Sequence, residues 1–75
     1  MTTLYNVKIG NKCVIKEVFN TFALKRRLFE LGLVKGVFVE VKASSVMGKV
    51  MLVEYNGTTI AIRDDVAKKI EVNAV

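Results

Sequence analysis

The segment KVMLVEYNGTTIAIR, residues 49 to 63, constrains the fold more than any other stretch of the chain. Asn56-Gly57 lies between two runs rich in β-branched and aromatic residues. A two-residue type I′ turn needs positive φ at both central positions, which Asn and Gly tolerate, so the segment predicts a hairpin. Three further stretches offer it partners. VFVEVKAS (37–44) sets Val37, Val39, Val41 and Ala43 on one face against Phe38, Glu40, Lys42 and Ser44 on the other, the period of a half-buried strand. KCVIKEV (12–18) reads as a strand after a turn at Gly10-Asn11, with Leu4 and Val7 expected to pack beneath it. IEV (70–72) can close the sheet as a last strand.

Helical signals are confined to two places. NTFALKRRLFEL (20–31) has Asn20 or Thr21 as its N-cap and Gly32 as its stop. DDVAKKI (64–70) reads as a short helix opened by Asp64, whose carboxylate can accept from free backbone N–H groups. Four or five short strands, all antiparallel, with a helix inserted after the first, predict a small barrel that removes its own exposed edges. The chain holds no proline, so Gly and Asn carry the turns, and no linker or repeat divides residues 1–75, which read as one domain.

Composition narrows the functions open to such a domain. Seventy-five residues leave no room for a separate catalytic domain, and a chain of this size buries only about 60% of its unfolded surface. Cys13 is the only cysteine, which excludes an intrachain disulfide. There is no histidine, the seven carboxylates are scattered, and Asp64-Asp65 reads as a helix start rather than a cation site, so no metal or cofactor site is expected. No nucleophile and base stand at a readable spacing, and no catalytic residue is expected. MTTLYNVKIGNK lacks the apolar stretch of a signal peptide, and no window reaches the roughly 18 apolar residues of a spanning helix, so a soluble cytoplasmic protein is expected. The formal charge of +5 is either a solvated basic surface or a preference for an anionic partner.

The order of residues adds to this. LKRRLFELGLVKGVFVEV (24–41) followed by VEYNGTTIAIRDDVAKKIEV (53–72) resembles the FeoA family. Leu24, Arg26, Arg27, Leu28, Leu31, Gly32, Leu33 and Gly36 match the family's helix and LG-x-x-x-G turn. Gly57, Ile60, Ile62, Arg63, Ala67, Ile70 and Val72 match its closing segment, and Leu4 to Val18 follows its opening strand more loosely. The resemblance puts Cys13 where the family has a small inward-facing residue, which implies a buried, inert thiol. The resemblance implies a small SH3-like antiparallel β-barrel with one inserted amphipathic helix. It also implies a cytosolic accessory protein of bacterial ferrous iron uptake, without catalysis of its own, acting with the FeoB-type permease and its GTPase domain at the inner face of the membrane. Two places depart from the family pattern. Lys35 stands where a proline commonly precedes the glycine, and MGKVM (47–51) replaces a Gly-Asp-Pro type turn, so the loop around Gly48 is expected to differ in shape and partner contacts.

The helix poses the remaining question. At 100° per residue from Phe22, Leu31, Leu24 and Leu28 fall at about 180°, 200° and 240°, a stripe assigned to the core. Phe22 and Phe29 fall on the opposite side with Arg26 between them. The plainer expectation is that a neighbouring loop or the N-terminal segment covers the pair. The alternative is an exposed aromatic pair ringed by Lys25, Arg26 and Glu30, a composition of interface centres. On that alternative Phe22, Lys25, Arg26, Phe29 and Glu30 are the candidate partner-binding residues. Self-association is left open. The competing function is a small basic nucleic-acid-binding barrel, for which Phe38 and Tyr55 would have to stack bases beside the phosphate-repelling Glu40 and Glu54; no nucleic acid is expected.

Overall fold

The computed structural model describes residues 2–19, 21–45 and 47–75. The elements follow as β1 (Thr2–Thr3), a 3₁₀ turn (Leu4–Asn6), β2 (Lys12–Val18), α1 (Phe22–Glu30), β3 (Phe38–Ser44), β4 (Val50–Tyr55), β5 (Thr58–Arg63), α2 (Asp64–Ala67) and β6 (Ile70–Ala74). All pairings are antiparallel, in the order β1-β6-β2-β3-β4-β5. The sheet coils as an SH3-like fold does but is not closed by hydrogen bonds. The expectation that both edges vanish is therefore corrected: β1 and β5 are left as the two ends. The sixth strand, β1, is two residues long and carries no periodicity to read; it exists because Thr2 and Thr3 pair with Val72 and Glu71.

The hairpin forms as its turn chemistry dictates. Asn56 has φ 54° and Gly57 φ 81°, and Tyr55 faces Thr58 across the turn. Register shifts at Lys16 in the β2–β6 ladder and at Lys42 in the β3–β4 ladder bend the sheet, as bulges do. Both bulged lysines reach a carboxylate, Lys16 to Glu71 at 3.7 Å and Lys42 to Glu40 at 3.4 Å.

The core lies on the concave side of the sheet. Val39, Val41, Met51, Val53 and Ile62 from β3–β5 meet Cys13, Ile15, Val18, Ile70 and Val72 from β2 and β6, with Leu4, Leu28, Leu33 and Ala67 closing the ends. Leu4 is buried and Val7 half-buried, as expected of a start that packs beneath β2. Ile60, nearer the hairpin tip, is only half-buried. Asp64 is not the cap of α2. Its N–H donates to the Lys49 carbonyl at 2.9 Å, which continues the β4–β5 ladder and leaves the cap position to Arg63. The carboxylate that accepts a backbone N–H there is Asp65, from Val66 at 2.9 Å.

Candidate functional site

Helix α1 is set on the sheet by its C-terminal end. The Leu33 N–H donates to the Leu28 carbonyl at 2.8 Å and the Gly32 N–H to the Phe29 carbonyl at 3.0 Å, while Gly32 takes φ 89°. This is a Schellman closure, and the Leu28–Leu33 pair that accompanies it is buried. Gly32 is required twice over, because a Cβ there would stand 2.7 Å from Cε2 of Tyr55. At the other end Thr21 is the cap, its hydroxyl accepting from the Leu24 N–H at 3.5 Å. Asn20, the other candidate cap, lies outside the described residues.

Anchored in this way, α1 buries one residue, Leu28. The expectation of a three-leucine core stripe is corrected, since Leu24 is 38% and Leu31 46% exposed. These two border a groove of about 350 Å³ whose far wall is β5 and Val66 of α2, so they share a face with the core residue but are not covered. On the other side, Phe22 is 82% and Phe29 68% exposed. The expectation of a covering loop or N-terminal segment fails among the described residues. Lys25, Arg26 and Glu30 are exposed as well, so all five candidate residues stand on one solvated helix. Phe29 borders a shallow depression with Val18, Leu33 and Val34, rimmed by Lys25 and Lys35. Phe19, three residues before Phe22, is also largely exposed and was not singled out by sequence, because it follows directly on a strand and reads as strand end.

The other candidates take the following places. Cys13 is fully buried between Val39 of β3 and Ala74 of β6, and burial pushes its thiol pKa up. Among the described residues no three His, Cys, Asp or Glu side chains gather as a metal site would require. The base-stacking surface is not assembled: Glu40 and Glu54 are direct cross-strand partners, and the Tyr55 ring is half-buried against Gly32. Phe38 alone is exposed there. No helix among the described residues is long and apolar enough to cross a membrane.

Comparison with known proteins bears on a chain so arranged. The FeoA domain profile matches residues 2–74. The chain belongs to the FeoA family. A Campylobacter jejuni protein named Fe(2+) transport protein A is 33% identical over 73 residues, covering 97% of this chain and 99% of that protein. The solution structure of the FeoA protein from Chlorobium tepidum superposes with a TM-score of 0.94 at 30% identity, over 99% of this chain and 70% of that one. The crystal structure of Stenotrophomonas maltophilia FeoA complexed with zinc, described as a prokaryotic SH3 domain protein, gives 0.85 at 34% identity over 97% and 91% of the two chains. These FeoA structures thus share the SH3-like fold seen here over nearly the whole of this chain.

Proposed function

We propose that this protein is a non-catalytic accessory component of ferrous iron uptake. It docks through the Phe22–Phe29 face of α1 onto the cytosolic part of a FeoB-type permease and alters that partner's assembly or activity. Family membership and the ferrous transport name of the Campylobacter jejuni relative support the pathway. The observation that carries the docking reading is the exposure of two phenylalanines, seven residues apart, on a helix that needs neither for its own packing. An exposed aromatic pair is costly to leave in water, and aromatic residues with arginine are enriched where interfaces are fully buried. Lys25 and Arg26 beside the pair suit an acidic rim on the partner.

Phe29→Ser tests the reading on one variant. Because the ring is exposed, the thermal melt should move little, within about 0.5 kcal/mol of stability. Affinity for the detergent-solubilised permease should fall about thirtyfold, the effect of losing an anchor of roughly 2 kcal/mol. A large loss of stability sinks the docking face, and unchanged stability with unchanged binding sinks it equally.

A further inference from the structure

The far side of α1 carries a different kind of surface. Ile60, Ala61, Ile62 and Arg63 all border the groove opposite Leu24 and Leu31, although neighbours along a strand point to opposite faces. A groove lined by four consecutive strand residues runs along the strand's edge. β5 is the last strand of the sheet, so that edge is free. The hairpin register says which groups it offers. With a two-residue turn, Tyr55↔Thr58 is a hydrogen-bonded pair, and alternate pairs Val53↔Ile60 and Met51↔Ile62 follow it, continued by the Asp64 N–H on the Lys49 carbonyl. Thr59 and Ala61 therefore turn both N–H and C=O outward and Arg63 its N–H, on the side of β5 that pairs with no strand among the described residues, while the Arg63 carbonyl is committed to the first turn of α2 as its cap.

We propose that this edge is a second docking site, taking an extended segment of a partner protein by strand addition. The segment's backbone pairs with Thr59, Ala61 and the Arg63 N–H, its apolar side chains enter the groove against Leu24 and Leu31, and its acidic side chains meet Arg27 and Arg63. Strand addition draws affinity from main-chain bonds and specificity from alternate side chains, and an apolar groove beside the edge meets both needs. Charge selects the occupant. Arg27 takes part in no ion pair among the described residues, and Arg63 holds only the exposed Asp65 at 3.6 Å, so both are available to carboxylates. A second copy is disfavoured, since its own β5 presents threonine, alanine and arginine where the groove's arginines call for carboxylates. Proteins commonly blunt a free edge with proline or charge, and Thr59 and Ala61 do neither. The site deepens the docking reading but does not require that the partner be the permease.

The test is a titration of the ¹⁵N-labelled chain with the peptide acetyl-Asp-Val-Thr-Val-Glu-Val-Asp-amide and with its counterpart carrying lysine at every acidic position. Expected are saturable shifts at the Thr59, Ala61 and Arg63 amides, slowed hydrogen exchange at the same three, and binding of the lysine peptide weaker by about tenfold or more. Arg27→Glu, on an exposed position, should reverse the preference between the two peptides. No saturation of the acidic peptide at about 1 mM, equal affinity for the two, or shifts confined to Phe22 and Phe29 would each overturn the site. Phe29→Ser should leave the peptide titration unchanged while lowering permease binding, so failure of either surface is read separately from failure of the other.

Discussion

Cys13 and Gly32 mark what a single residue can disclose. The family resemblance, rather than the strand pattern, implies a buried thiol at Cys13, and the structure puts it at 0% exposure with a raised pKa. The cause is desolvation, which disfavours the thiolate. In the unfolded chain the thiol titrates at its ordinary value, so between that value and the raised folded one the native state holds more protons. Stability is therefore complete below the ordinary thiol pKa and falls as pH rises through the window above it. Cys13→Ala should flatten this alkaline decline relative to the parent in urea unfolding at a series of pH values. At neutral pH a thiol-reactive disulfide reagent should label the unfolded protein and spare the native one; fast labelling of native Cys13 would contradict its inertness. Gly32 was legible as a helix stop because positive φ is a local demand. Its approach to Tyr55 joins residues 23 positions apart and leaves no local trace.

Elements were read well where their determinants are local. The hairpin turn, the span of β2 and the end of α1 all follow from neighbours in sequence. The helical period also grouped Leu24, Leu28 and Leu31 on one face correctly. Period reveals which side chains travel together, not whether anything covers them, and here only Leu28 is covered. The same limit left Phe22 and Phe29 undecided until the structure placed them. A nine-residue helix is too short to hold itself in water, so α1 rests on the Schellman closure and the Leu28–Leu33 contact. Its amides should exchange well ahead of those of β2, β3 and β6, at an opening free energy below that of global unfolding. Native-state hydrogen exchange checks this, and protection in α1 equal to that of the central strands would show a helix more firmly seated than one buried leucine allows.

At the scale of the whole molecule, β2 joins the two halves of the sheet, pairing with β6 on one side and β3 on the other. That order was not legible, because β2–β6 and β1–β6 join distant parts of the chain, and sequence patterning gives strands without their neighbours. Val41, fully buried at the centre of β3, packs into the common core that this arrangement creates. Val41→Asp would place an unpaired charge there, and no relaxed position within so small a core could solvate it. The variant should lose its cooperative melt by circular dichroism, and one melting like the parent would contradict the shared core. The open sheet likewise escaped the sequence reading, since closure depends on coiling and on bulges at Lys16 and Lys42 rather than on strand number.

The pairing of β1 with β6 has a consequence for how such a module can be carried. Thr2 lies opposite Val72, so the polypeptide enters and leaves the fold side by side. A domain with neighbouring entry and exit can be spliced into a surface loop of a larger protein, or strung between other domains, without pulling its own sheet apart. The architecture is portable as a cassette, and its two outward-facing helix sides would travel with it intact.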